Sequence, residues 1–449
     1  MTNPPPHSLK ARLRKALAVL SLSAAFATPL TGYMKNETDA DQPILLNPDT
    51  GWCWFQDERV LIDRGHLLLA GVGSEGDITV TRYEIDSGKT EVVVLHERLQ
   101  ANDHAVPGLM ILPDGRILAV YSQHNGPYTR WRITREPGNF SDWEPEQQFD
   151  NGARTTYSNL YRLSEEGENG RIYNFTRTRE WDPNFIVSDD DAAGWRYGGR
   201  LIDGGGSGQR PYPRYTGNGK DEIHFITTEH HPRNFANSIY HGFIRGGKAR
   251  RSDGSVVDED IFREEAPRAE AFSKVFHGDE DNVAWTSDIE LDSRGHPYIA
   301  YSVTKDRIAP GEGGMDHRYR YARWDGESWS DYEIAYAGTR LYPREDHYTG
   351  LIALHPKNPD IVFISADVDP ATGEPIRVNG EQRYEIFKGV TSDRGQTWQW
   401  TPVTKNSPQD NLRPMVAAGE DVWAVVWLRG DYRTYTDYNQ EAVGLFYSD

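Results

Sequence analysis

Cysteine is nearly absent from this 449-residue chain, where Cys53 stands alone between Trp52 and Trp54. An intrachain disulfide is therefore excluded, and so is a zinc site built on several thiolates; Cys53 reads as a buried core residue. Long apolar runs are missing too. Hydrophobic residues reach only 37%, and no run approaches the roughly 20 apolar residues that a membrane-spanning helix needs. Positive charge is also short: 49 Lys and Arg face 68 Asp and Glu, a formal net charge of −19. That balance argues against nucleic acid as a partner. An anionic ligand would need a local basic cluster within an acidic surface.

The first residues read as a targeting signal. Lys10, Arg12, Arg14 and Lys15 precede the apolar stretch Ala16 to Ala27, which ends in the small-x-small pattern Ala25-Phe26-Ala27. A signal peptide over 1–27 is expected, with 28–449 as one mature domain in the periplasm or the medium and no membrane association. Loss of its four basic residues takes the formal charge from −19 to −23.

What is abundant points to β-structure. Gly numbers 42 and aromatic residues make up 12% of the chain, a composition suited to many short strands and tight turns. A faint repeat runs through it, in which an apolar strand, a turn rich in Asp, Gly or Asn and a second apolar strand recur as in a β-hairpin. The turns are Ile62 to Gly65, Leu112 to Gly115, Leu163 to Gly170, Gly217 to Lys220, Asp292 to Gly295, His355 to Asp360 and Gly419 to Asp421. The segment Thr391-Ser392-Asp393-Arg394-Gly395-Gln396-Thr397-Trp398 fits the Asp-box turn, and Ser188 to Trp195 is a degraded copy. The expectation is an all-β, seven-bladed β-propeller, closed by Ala442 to Tyr447 pairing with the chain near Trp52 to Phe55.

Residues equidistant from a hairpin turn face one another. His104 and His124 are each ten residues from Asp114, and Tyr157 and Arg177 are each ten from Gly167. In the fourth hairpin Arg210 and Tyr212 come opposite His230-His231-Pro232-Arg233. His, Tyr and Arg from three neighbouring hairpins thus gather at one rim.

Four stretches resemble the BNR-repeat polysaccharide lyases, the propeller group that includes ulvan lyases and rhamnosyl-glucuronate lyases. They are Trp52 to Asp57; His104-Ala105-Val106-Pro107 through Pro113-Asp114-Gly115 to His124-Asn125-Gly126; Thr156-Tyr157 to Phe175-Thr176-Arg177; and Arg210-Pro211-Tyr212 through Ile223-His224-Phe225 to His231-Pro232-Arg233 and Asn237 to Tyr240. The chain departs from the family pattern in placing Ala105 after His104 and in its longer turn between Tyr157 and Arg177. The resemblance implies β-elimination next to a glucuronate or iduronate in a rhamnose-containing anionic polysaccharide, giving a 4,5-unsaturated product. It implies His104, His124, Tyr157 and Arg177 as catalytic residues. Arg233, Tyr212, Arg210, Asn125 and His231 are the candidates for substrate binding. No cofactor is required for that chemistry; a structural divalent metal is compatible with it, with ligands left open, and a monomer is the default.

Two other readings compete. A sialidase-type glycoside hydrolase would recruit arginines such as Arg210, Arg344 and Arg413 beside a Tyr/Glu pair. A non-catalytic carbohydrate-binding propeller would need only exposed aromatic rings.

Overall fold

Each turn picked out in the sequence closes an antiparallel hairpin. The computed structural model describes residues 42–206, 210–306 and 311–448; the expected signal segment 1–27 lies outside them. The paired strands are Val60–Asp63 with His66–Val72, Gly108–Ile111 with Ile117–Ser122, Gln147–Leu163 with Arg171–Thr178, and Arg214–Gly217 with Glu222–Thr227. Then follow Val283–Leu291 with Pro297–Thr304, Ile352–Leu354 with Ile361–Ala366, and Asn411–Ala418 with Val422–Thr434. Turn chemistry explains them. In the second, Gly115 takes φ +86°, a left-handed geometry that favours glycine, and the Asp114 carboxylate accepts the Arg116 N–H at 3.0 Å.

The protein is all-β, with antiparallel sheets of four to seven strands and a small two-stranded ribbon. The seven-stranded sheet arises because Gln147–Leu163 runs for 17 residues. Its first part pairs with Gly126–Ile133 and its second with Arg171–Thr178, so one strand serves two hairpin systems. The leading strands of successive sheets touch one another. Arg214–Gly217 packs on Val283–Leu291, which meets Ile352–Leu354, which meets Asn411–Ala418, which in turn meets Val60–Asp63.

The chain ends pair, but not where the sequence suggested. Asp437–Ser448 takes Ile44–Asn47 as its edge partner, with Ile44 opposite Gly444. Trp52 to Phe55 are drawn inward instead. Cys53, Trp54 and Phe55 lie with Tyr157, Tyr212, Trp285, Tyr348 and Tyr432 in one buried, aromatic-rich cluster, where large rings bury much apolar surface.

Both Asp-box segments form the same outer turn. Thr391 Oγ1 accepts the Gly395 N–H at 3.0 Å and Asp393 the Thr397 N–H at 2.9 Å. In the degraded copy Ser188 accepts from Ala192 and Asp190 from Gly194, each at 2.9 Å. These turns join strands Glu385–Val390 to Gln399–Pro402 and Asp182–Ser188 to Arg196–Arg200, so the motif is architectural.

Candidate active site

The register of the second hairpin, with Gly108 opposite Val120 and Ile111 opposite Ile117, runs outward to His104 and His124. Both lie beyond the paired strands. His104 sits in a single 3-10 turn, Asp103–Ala105, capped by Asn102, whose side chain accepts the His104 N–H at 3.0 Å. Gln56 donates to the His104 carbonyl at 2.8 Å. The two imidazoles stack with centroids 4.4 Å apart and planes 18° from parallel.

Their environments differ sharply. His104 Nδ1 meets the Asp103 carboxylate at 2.6 Å, and the other oxygen of Asp103 accepts from Arg413 at 2.6 Å and from the Tyr432 hydroxyl at 2.9 Å. Burial disfavours a charged His104, yet Cys53 and Asp103 outweigh it and raise its pKa to about 10. Burial likewise opposes an ionised Asp103, but Arg413 and His104 hold its pKa down at about 2. The Asp103 contact thus favours the protonated form of His104.

His124 goes the other way. Burial, then the positive charges of His104 and Arg177, depress its pKa to about 2. Its Nδ1 lies 3.2 Å from the Asn102 amide nitrogen and its Nε2 3.2 Å from Arg177 Nη2. Both neighbours are donors, and a neutral imidazole can accept at only one nitrogen. Protonation would add a second opposed N–H, so geometry and charge agree on a neutral ring.

The third hairpin keeps its predicted centre as far as Phe175 opposite Asn159, and then a bulge sets Arg177 against Thr156 instead of Tyr157. The one-residue shift has a visible cause: Tyr157 takes φ +73°, a strained geometry for an aromatic residue. Packing holds it there, with Phe55 and His104 at ring distances of 5.6 and 5.7 Å. Burial pushes the Tyr157 hydroxyl well above its usual pKa, keeping it protonated. Arg177 donates to Tyr212 at 2.9 Å and more weakly to Tyr157 at 3.4 Å. Among the described residues no carboxylate pairs with it.

Of the candidate binding residues, Tyr212 and His231 join this group directly, with rings 5.4 Å apart and roughly perpendicular. His231 is buried, and burial followed by Arg233 keeps its pKa well below the ordinary value. Arg210 approaches from the same hairpin, its guanidinium 4.7 Å from the Trp181 ring. Arg233 is exposed and ion-paired to Glu345, so an anionic ligand would have to compete for it. Asn125 takes a left-handed φ of 62°, and its side chain accepts from the Thr156 hydroxyl at 3.2 Å, which ties the second hairpin to the third.

Sequence reasoning missed several members of the site. Tyr435 closes one side, 5.2 Å from the His104 ring and 5.8 Å from that of His124. Asn102 and Asp103, next to His104, could have been flagged as its orienting groups. Arg413 could not, because it meets Asp103 from 310 positions away. Its engagement with Asp103 and the Trp52 carbonyl also removes it from the arginine cluster that a sialidase-type site would use. Arg344 is exposed.

Cys53, Asp103 and His104 bring three potential metal-ligand atoms within 4.8 Å of one another. They do not fit a cation. Both Asp103 oxygens are already engaged, one by His104 and the other by Arg413 and Tyr432, which leaves no free carboxylate oxygen for a metal.

Comparison with known proteins extends this picture. An ulvan lyase of the polysaccharide lyase family PL25, solved with -[GlcA(1-4)Rha3S]- bound, superposes with a TM-score of 0.66 over 89% of this chain and 95% of that one, at 14% identity. The polysaccharide lyase Uly1 superposes with a TM-score of 0.57 over 90% and 98% of the two chains, at 10% identity. At such identities the likeness is one of fold. No curated protein matches the sequence. The model of the BNR repeat-containing family does match, over residues 69–337. That span is more than half of the chain, and the protein belongs to the BNR repeat-containing family.

Proposed function

We propose that this protein is a secreted or periplasmic polysaccharide lyase on a seven-bladed β-propeller. It would cleave the bond to O4 of a uronate next to rhamnose, in an ulvan-like or rhamnose-glucuronate glycan, by β-elimination. The observation that carries the reading is the stacked pair His104 and His124, the first held by the Asp103 carboxylate and the second facing two donors, beside the Tyr157 hydroxyl and an Arg177 that has no carboxylate partner among the described residues. The seven hairpins serve as the inner halves of the blades.

Elimination needs the uronate carboxylate neutralised so that the C5 proton becomes acidic. Arg177 suits this, since a guanidinium forms a planar, permanently charged pair with a carboxylate. A carboxylate bound there also offsets the positive potential that depresses His124, raising the basicity of the neutral imidazole as substrate arrives. His124 then takes the C5 proton. The electron pair forms the C4=C5 double bond, the C4–O4 bond breaks, and a proton goes to the departing O4. Two donors stand ready for that step, the Tyr157 hydroxyl and the His104 imidazolium, and Asp103 keeps the latter charged. Positioned proton transfer of this kind contributes about 10² to 10⁴ in rate.

Tyr212, His231, Arg210, Arg233 and Asn125 bind and orient the glycan in this account. No cofactor takes part. The test is incubation with ulvan or a rhamnose-glucuronate polymer: a lyase produces the ultraviolet absorbance of a 4,5-unsaturated uronate, and a hydrolase produces reducing ends without it.

A further inference from the structure

The strand that carries Arg177, Arg171–Thr178, ends in a tight turn, Arg179–Trp181, and two successive residues there take left-handed backbone angles: Glu180 at φ 57° and Trp181 at φ 69°. Neither is glycine, so the turn is strained, and strain of this kind is retained where a side chain must be placed. The side chain so placed is the half-buried Trp181 indole. Arg210 lies 4.7 Å from its ring and Arg177 5.8 Å from it, so one indole is shared by two guanidiniums.

In a chain this acidic, arginines find carboxylates readily. Arg179 pairs with Glu264 two positions beyond Arg177, and Arg214 with Asp57 and Asp288 four beyond Arg210. Among the described residues Arg177 and Arg210 have no carboxylate within ion-pair distance, and Arg210 Nε is buried without a hydrogen-bond partner. Two adjacent cations left without counter-charge exceed what a single carboxylate would neutralise.

We propose that Trp181 and Arg210 form a second anion subsite beside Arg177, which holds a negatively charged substituent on the sugar next to the uronate. This rests on Arg177 as the uronate site. The substituent is a sulfate ester or a second carboxylate, two sources of the same chemistry for a guanidinium.

Equilibrium binding to the full chain tests this independently of turnover. The probes are an ulvan-derived tetrasaccharide, its desulfated derivative and its carboxyl-reduced derivative, titrated by calorimetry into the wild type, Arg210→Gln and Arg210→Lys. Arg210→Gln weakens the intact probe about tenfold. If sulfate is the partner, Arg210→Gln has no effect on the desulfated probe and still weakens the carboxyl-reduced one; a carboxylate partner gives the reverse. Arg210→Lys, which keeps the charge, retains the preference for the intact probe. Equal weakening of all three probes by Arg210→Gln, or none, overturns the proposal, as does an Arg210→Lys that no longer distinguishes them. A wild type that binds with this pattern yet forms no unsaturated product would overturn the lyase reading and leave the subsite standing.

Discussion

His104 and His124 stack at 4.4 Å, yet their protons behave oppositely, with the pKa of His104 raised to about 10 and that of His124 depressed to about 2. Burial and the charges of His104 and Arg177 depress His124, whereas Cys53 and Asp103 raise His104 against burial, and Asp103 contacts only that ring. The two environments therefore favour a proton acceptor at His124 beside a proton donor at His104.

Replacing His124 by Ala should remove the base. We expect kcat to fall by about 10² to 10⁴ while the thermal unfolding temperature stays near that of the wild type, since the ring is only partly buried and both of its nitrogens face donors. A variant that unfolds instead would mark His124 as structural.

Asp103→Asn leaves Arg413 buried without its anion, and removing one partner of a buried ion pair typically costs about 3 to 5 kcal/mol. It also withdraws a charge that favours the His104 imidazolium. A lowered unfolding midpoint is expected, together with a His104 NMR titration moved toward the ordinary range. A His104 titration unchanged in the variant would contradict the role given to Asp103.

Stability should follow pH in a defined sense. The pKa of His104 rises from 6.5 to about 10 on folding, so its stabilising contribution is complete below 6.5 and is lost as pH climbs through about 10. The stability gap between wild type and His104→Gln should therefore narrow over that window in denaturant titrations. For His124 the sign is reversed. Its pKa falls from 6.5 to about 2, so its contribution is present above 6.5 and drains away as pH drops toward 2.

The Asp box gives a contrasting case. Thr391→Val removes the hydroxyl that accepts the Gly395 N–H and should cost about 1 to 2 kcal/mol. Turnover per folded molecule should not change, because the turn joins two outer strands. A loss of kcat without loss of stability would refute an architectural role.

These outcomes also bear on what the sequence could reveal. Hairpin symmetry placed His104 opposite His124 because the turn at Asp114 carries no bulge between its strands. The same rule missed by one residue at Tyr157, where a left-handed backbone angle shifts the register, and no residue type there announces it. Trp181 was invisible for a related reason: its position depends on two left-handed residues rather than on any periodic pattern. Arg413 and Tyr432 reach Asp103 from the far end of the chain, and only the folded ring of sheets brings them there.

The most direct measurement is the ultraviolet absorbance of ulvan or a rhamnose-glucuronate polymer incubated with the wild type and with His124→Ala. The account predicts a steady rise from the new C4=C5 double bond with the wild type and essentially none with the variant. New reducing ends without that absorbance, or equal rises from both proteins, would contradict it.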